Sequence, residues 1–282
     1  MVKITDKKEI GNTGEYVSTL GLGTFGIKDY DMAMEAFTYA FENGIDNYDT
    51  AEMYGNGEAE EFLGRFIKEV GRENIFITTK IMPHNMVSRE RAERSARNSL
   101  KRLGISTVDL ILLHWSEPHL SLEKQIKNLE YLADKGYTRY IGVSNLNVNE
   151  IELAMNTLSK YEVVVNQVRY SVYDRRIEKS LLPYCIRNRI TIQAYTPIER
   201  GEIVGDKVLK EIGERYGKTE VQVALNYLIS QDYVIPIPKT EKRERVEEFI
   251  GSMGWRLSKG DINLIKERIP SRYSIDDLEE EQ

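Results

Sequence analysis

Four residues of different acidity stand at the ends of apolar runs or in the loop that follows: Asp49, Tyr54, Lys80 and His114. Asp49 and Tyr54 belong to Asn47-Tyr48-Asp49-Thr50-Ala51-Glu52-Met53-Tyr54-Gly55, which leads into the glycine-rich helix start Gly55-Asn56-Gly57-Glu58. Lys80 closes Ile75-Phe76-Ile77-Thr78-Thr79, and His114 closes Val108-Asp109-Leu110-Ile111-Leu112-Leu113. The set suits proton donation. A free tyrosine titrates near pH ~10, so unaided it is too weak an acid to protonate an alkoxide at neutrality. An ammonium beside it stabilises the phenolate, and Lys80 is expected to lower the Tyr54 pKa in this way. A buried ammonium without a partner would deprotonate or stay mobile, so Asp49 is expected to pair with Lys80. His114 could then donate a hydrogen bond to a substrate carbonyl and fix its orientation. The residues show no activated nucleophile and no metal-ligand spacing. They read as a proton donor with an oxyanion site, which fits carbonyl reduction if the hydride comes from outside. Singly, Asp49, Lys80 and His114 have plainer readings: a helix-capping Asp, a solvated strand-end Lys, a packed His. A Schiff-base barrel enzyme with Lys80 as nucleophile also stays open on these residues alone.

The elements that must position this set alternate along the chain. Candidate strands cover residues 19–23, 44–48, 75–79, 108–114, 140–144, 163–168, 191–195 and 233–236. Their continuous apolar runs suit strands buried on both faces, as in parallel sheets. Between them Ala33, Phe37, Ala40 and Phe41 recur at helical spacing, with Gly44 placed as a C-terminal cap. Leu122, Ile126, Leu129 and Leu132 repeat the pattern up to Gly136, and Asn147 or Asn149 opens another helix. Residues 206–231 leave room for two helices, broken near Gly217-Lys218-Thr219, and a last helix is expected over 261–269. Eight strand-helix units without a linker predict an α/β fold, one (β/α)8 TIM barrel of 282 residues. Residues 1–270 are expected to form that single domain, and 271–282 an acidic C-terminal tail. Residues 9–17 read as a β-hairpin with a glycine-rich turn that closes the barrel bottom. In such a barrel catalytic groups sit at the C-terminal strand ends, where Asp49, Lys80 and His114 fall on strands two, three and four.

Bulk properties narrow the function classes. A net charge of −6 gives no support for nucleic-acid or anionic-membrane binding. No run approaches the ~18 apolar residues that cross a bilayer, and the N-terminus lacks a signal-peptide core. The single cysteine, Cys185, fits a reducing cytosol and reads as a small buried hydrophobe. The expectation is a cytoplasmic monomer acting on a small molecule.

The same residues resemble the aldo-keto reductase family through nearly the whole chain. Gly21-Leu22-Gly23-Thr24-Phe25-Gly26 looks like its first-strand motif, and Asp49-Thr50-Ala51-Glu52-Met53-Tyr54-Gly55 its aspartate-tyrosine motif. Ile77-Thr78-Thr79-Lys80 and Leu112-Leu113-His114-Trp115 match the lysine and histidine strands. Ile141-Gly142-Val143-Ser144-Asn145, Asn166-Gln167-Val168, Ala194-Tyr195-Thr196-Pro197-Ile198 and Ile235-Pro236-Ile237-Pro238-Lys239-Thr240 follow in family order.

The resemblance implies NADPH-dependent reduction of aldehydes or ketones, with Tyr54 as general acid, Lys80 and Asp49 tuning it, and His114 orienting the carbonyl. It places Ser144, Asn145 and Gln167 on the nicotinamide carboxamide and Tyr195 on the nicotinamide ring. Gly23, Thr24 and Asp49 would also contact the cofactor. Thr196, Ile198 and Arg200 would lie along the pyrophosphate. Pro238, Lys239, Thr240 and Arg245 would surround the 2′-phosphate, with Glu248 near adenine. NADPH is expected to bind more tightly than NADH, although Glu241, Glu244 and Glu247 make these surroundings acidic. Phe249 departs from the asparagine that many members carry beside adenine. Without the rest of the match, the charged run from Lys239 to Arg245 reads better as a solvated helix start than as a phosphate site. Phe25, Tyr54, His114 and Trp115 would line the substrate pocket, Phe25 and Trp115 having core packing as the alternative. The short C-terminal end suggests an open pocket for small aldehydes. A second reading within the family is an NADPH-binding regulatory subunit with slow or no turnover.

Overall fold

Ten strands and ten α-helices are seen in the computed structural model, which describes residues 5–117 and 119–273. The strands are β1 (Lys7–Glu9), β2 (Tyr16–Ser18), β3 (Leu22–Gly23), β4 (Asn47–Asp49), β5 (Phe76–Ile81), β6 (Val108–Leu113), β7 (Thr138–Ser144), β8 (Val163–Arg169), β9 (Thr191–Tyr195) and β10 (Val234–Pro236). The helices are α1 (Tyr30–Glu42), α2 (Glu58–Val70), α3 (Arg89–Leu103), α4 (Leu122–Asp134), α5 (Val148–Thr157), α6 (Leu181–Arg187), α7 (Lys207–Tyr216), α8 (Glu220–Ile229), α9 (Arg243–Ile250) and α10 (Lys259–Arg268).

Strands β3 to β10 neighbour one another in chain order and pair in parallel, as the (β/α)8 pattern predicts. The two ends of the sheet meet. Gly21 N–H donates to Pro236 O and Gly23 N–H to Pro238 O, each at 3.0 Å, and Gly23 bridges Lys239. Glycine is needed at this seam, because a Cβ on Gly21 would stand 2.9 Å from Asn47 Nδ2 and Ile237 Cγ2. Outside the barrel, Tyr48 packs against Phe37 of α1 and Phe66 of α2, at ring-centre distances of 5.4 and 4.8 Å. This aromatic contact fixes the outward face of β4, and the alternation of the strand turns Asn47 and Asp49 the other way.

The antiparallel hairpin β1–β2 closes the barrel floor. Its Ile10 and Val17 join Phe76, Leu110, Leu112, Val165 and Ile235 in one apolar cluster inside the barrel. Lys8 Nζ donates to the carbonyls of Ile229, Gln231 and Val234 at 2.7, 2.6 and 2.7 Å, pinning the hairpin to the end of α8 and the start of β10.

Two barrel strands begin three residues later than the sequence expectation, and the other strand limits lie within two residues of it. The second barrel strand begins at Asn47 rather than Gly44, because Gly44 (φ 104°) belongs to the turn that ends α1. Its N–H bonds to Phe41 O. The first is shorter than 19–23, since the chain reaches strand geometry only at Leu22. Asn147, not Asn149, caps α5, in a reciprocal capping box with Glu150. Of the expected acidic tail, residues 274–282 lie outside the described residues.

Candidate active site

Parallel pairing of β4 with β5 carries Asp49 and Lys80 to the same end of the barrel. There Lys80 Nζ donates to Asp49 Oδ1 at 2.7 Å, Asp49 Oδ2 at 2.8 Å, Thr50 O at 2.8 Å and Tyr54 Oη at 3.1 Å. Both ionic side chains are buried. Tyr54 sits in the loop between β4 and α2. The chain turns sharply after it through Gly55, Asn56 and Gly57, at φ values of 56°, 53° and 99°. A Cβ at Gly57 would meet Arg102 Cδ at 2.6 Å, so the glycine-rich segment lets the loop fold tightly against α3.

Burial opposes ionisation throughout this cluster. It raises the Asp49 pKa, and Lys80 only partly offsets that rise. Burial pulls Lys80 down, yet Asp49 and Tyr54 together outweigh it and leave the ammonium above its ordinary value. For Tyr54 the sequence expectation is corrected. Lys80 does lower the phenol pKa, but burial raises it more and Asp49 adds to the rise, so the net shift is upward. Tyr54 therefore keeps its proton at neutral pH.

His114 follows β6, its N–H bonded to Ile81 O at 3.0 Å. Its ring centre lies 5.8 Å from that of Tyr54 and 4.8 Å from that of Trp115. Burial and then Lys80 push its pKa down to about 3, so the imidazole is neutral and carries one N–H donor. Among the described residues Nδ1 has no hydrogen-bond partner. Phe25 packs edge-on to Tyr54 at 5.1 Å and is 59 % exposed, which excludes the core-packing alternative for it. Trp115 is half-buried.

A chain of polar side chains crosses the lumen behind Asp49. Gln167 Nε2 donates to Asp49 Oδ2 at 2.8 Å and to Gln193 Oε1 at 3.0 Å, and Gln193 Nε2 donates to Thr78 Oγ1 at 3.3 Å. A carboxylate only accepts, which fixes the end of the Gln167 amide that faces Asp49 and leaves Oε1 as the acceptor it offers elsewhere. Ser144 Oγ donates to Gln167 O at 2.8 Å, Asn145 Nδ2 to Ser144 Oγ at 3.1 Å, and Tyr195 Oη to Asn145 Oδ1 at 3.0 Å. Thr24 N–H and Oγ1 both donate to Asp49 O. The carboxamide candidates therefore form one network with the Asp49–Lys80 pair.

The loop after β9 departs from ordinary geometry. Thr196, Glu199 and Arg200 have φ values of 53°, 45° and 54°. Non-glycine residues in this region cost energy and collect at functional loops. Buried Glu199 anchors the segment through Arg169 Nη2 at 2.6 Å and Ser171 Oγ at 2.5 Å, leaving Ile198 half-buried and Arg200 exposed. At the barrel seam, Pro238 O accepts from Gly23, and Thr240 Oγ1 accepts from Lys242 N–H at 3.0 Å. The two cations expected around a phosphate are both paired. Lys239 Nζ bonds Glu241 Oε1 at 2.8 Å, and Arg245 Nη1 bonds Glu248 Oε2 at 2.8 Å. Phe249 is buried in the core.

Three contributors escape motif reading. Gln193 holds Gln167 and Thr78 in turn holds Gln193, and a polar side chain inside the apolar run Thr191-Ile192-Gln193-Ala194-Tyr195 is the signal that could have found the first. Glu52 Oε1 accepts from Met82 N–H at 2.7 Å and Asn85 Nδ2 at 2.9 Å, while Oε2 accepts from Ser95. It ties the Tyr54 loop to the segment that follows Lys80.

Residues 19–269 match the model of the Aldo/keto reductase family. A glyoxal reductase of Bacillus subtilis (strain 168) is 33% identical over 257 residues, 90% of each chain. The methylglyoxal reductase DkgB of Escherichia coli O157:H7 is 30% identical over 253 residues, 88% of this chain and 92% of its own. Among solved structures, a thermostable aldo-keto reductase in complex with the inhibitor epalrestat has a TM-score of 0.87 at 36% identity. The likeness covers 93% of this chain and 98% of that one. An aldo/keto reductase from Klebsiella pneumoniae in complex with NADP and acetate has a TM-score of 0.85 at 26% identity, covering 97% and 98%. With a match that runs from before the first barrel strand to the end of the last helix, the chain belongs to the aldo-keto reductase family.

Proposed function

We propose that this chain reduces small aldehydes and ketones to alcohols with hydride from NADPH, using Tyr54 as the proton donor. The observation that carries this reading is the buried Lys80 ammonium, bonded at once to the Asp49 carboxylate and the Tyr54 hydroxyl. The family membership supports carbonyl reduction in general. The names of the glyoxal and methylglyoxal reductases point to small oxo-aldehydes within that class.

NADPH, when bound, supplies the hydride. The donor set of the barrel mouth fits such a group: amide and hydroxyl partners at one end, cations at the other, and a left-handed loop between them. Ser144, Asn145 and the Gln167 Oε1 acceptor would hold the carboxamide, and Tyr195 would face the ring. Gly23 and Thr24 would flank it beside Asp49. Thr196, Ile198 and Arg200 would lie along the pyrophosphate, Pro238, Lys239, Thr240 and Arg245 around the 2′-phosphate, and Glu248 near adenine.

Tyr54 holds its proton at Oη until negative charge develops on the substrate oxygen. Lys80, 3.1 Å away, then stabilises the phenolate left behind. Asp49 keeps Lys80 charged and fixed. The neutral His114 imidazole donates its N–H to the carbonyl oxygen and aligns it with Tyr54. Phe25 and Trp115 would form the apolar rim of the pocket.

Replacing Tyr54 with Phe tests the assignment. The expected kcat falls by about 100- to 10,000-fold, the range of a lost general acid, with the NADPH Kd unchanged by fluorescence titration. Near-normal turnover in that variant would remove Tyr54 as the acid.

A further inference from the structure

The cationic end of the mouth carries a feature that phosphate binding does not call for. Glu241 is held by three donors: Lys239 Nζ at 2.8 Å, Lys28 N–H at 2.8 Å and Asp29 N–H at 3.3 Å. The two backbone donors lie in the segment between β3 and α1, which also carries Phe25. One carboxylate thus links that segment to the start of α9. Its side chain is only 17% exposed, half as much as that of Lys239 at 33%. The bond to Lys239 keeps its carboxyl below the ordinary carboxylate value, so it is ionised at neutral pH.

We propose that Glu241 determines the cofactor preference of this chain, holding NADPH and NADH to affinities within about tenfold of each other. The inference rests on the reading that Lys239 faces the 2′ position of the adenosine ribose. A 2′-phosphate brings between one and two negative charges. It must either take Lys239 from Glu241 or lie against a carboxylate that two backbone bonds hold in place. A 2′-hydroxyl meets neither obstacle, since it can donate a hydrogen bond to the same carboxylate. Arg245 does not restore the balance, because Glu248 neutralises it and accepts from Thr219 Oγ1 as well.

The test is isothermal titration of NADPH, NADH, adenosine 2′,5′-bisphosphate and adenosine 5′-monophosphate. It uses the wild type, Glu241→Gln, Glu241→Ala, Lys239→Gln and the Lys239→Gln/Glu241→Gln double variant. Glutamine keeps an oxygen for the Lys28 N–H, so Glu241→Gln removes the charge with little change to the loop. The bisphosphate and NADPH are expected to tighten by about tenfold in Glu241→Gln, and NADH to weaken slightly. The gain should shrink in the double variant, where no ammonium is left to release. Unchanged NADPH-to-NADH and bisphosphate-to-monophosphate ratios in both Glu241 variants would overturn the proposal. A Lys239→Gln variant that weakens bisphosphate and monophosphate equally would instead overturn the placement of Lys239, and the inference would fall with it.

Discussion

Two lysines bond to the barrel backbone at its opposite ends, and their partners separate a tuning group from a structural pin. At the mouth, Lys80 divides its bonds between a carboxylate, one carbonyl and the Tyr54 hydroxyl. At the floor, Lys8 gives all of its donors to three carbonyl oxygens. The environments answer burial differently. Against burial, Asp49 and Tyr54 hold Lys80 above its ordinary pKa, whereas Lys8, with no carboxylate bonded to Nζ among the described residues, is pulled down to about 7 by burial and then Arg256. What marks the mouth is the single donor left for a side chain that can itself lose a proton.

The largest expected effect tests this division directly. In Lys80→Met the phenolate loses its cation, and kcat is expected to fall by about 100- to 10,000-fold. The same change leaves Asp49 buried and unpaired, which costs about 3–5 kcal/mol of stability. Lys8→Met should leave kcat unchanged and cost about 1–3 kcal/mol in urea unfolding, through the carbonyls it strands. A matching loss of kcat in Lys8→Met would erase the distinction between mouth and floor.

The pH dependence of stability should separate the same two regions. The folded pKa of His114 is about 3 against 6.5 ordinarily, so the unfolded chain binds the extra proton as pH falls through 6.5. The stability contributed by the neutral imidazole is present above pH 6.5 and is lost toward pH 3. Lys8 has a folded value of about 7 against 10.5, so its contribution makes stability rise with pH across that higher window. Each slope is at most about 1.4 kcal/mol per pH unit, the limit for one proton. Denaturant melts across pH should therefore lose the acid slope in His114→Asn and the alkaline slope in Lys8→Met. An acid slope that survives in His114→Asn would mean that its imidazole is not held neutral. The profile of kcat should likewise show no ionisation of His114 near pH 6.5.

The catalytic candidates were legible in sequence because Asp49, Lys80 and His114 each close an apolar run and Tyr54 follows the first of them by five residues. Strand periodicity says which face a residue occupies but not what it meets across the lumen. Gln193 and Thr78 are 115 residues apart, and no local pattern pairs them. The sign of the Tyr54 shift was lost for a related reason: a motif shows that an amine stands near a phenol, while burial depends on every segment packed around them. The expected phosphate clamp illustrates the reverse. Lys239 and Arg245 were legible as cations, but Glu241 and Glu248, plainly present in the sequence, were not legible as their bonded partners. The floor was read correctly as a hairpin, yet Lys8 gave no signal, because its acceptors are backbone carbonyls common to any sequence.

The smallest effect is expected one layer below the mouth, at Gln193. Its Oε1 accepts from Gln167 and its Nε2 donates to Thr78, so it touches neither Tyr54 nor Lys80. In Gln193→Leu the Gln167 amide keeps its bond to Asp49 but loses the partner that fixes its rotation. The loss of one such bond is worth about 1 kcal/mol. If Gln167 Oε1 receives the carboxamide, that looseness raises the NADPH Kd by about fivefold and leaves kcat at saturating cofactor almost unchanged. Gln193→Glu keeps an acceptor for Gln167 and should recover part of the affinity, which a merely destabilised barrel would not. A fall in kcat approaching that of Lys80→Met would carry a different lesson. The Asp49–Gln167–Gln193–Thr78 chain would then belong to the machinery that holds Lys80 in place, and the boundary between mouth and floor would lie below Thr78.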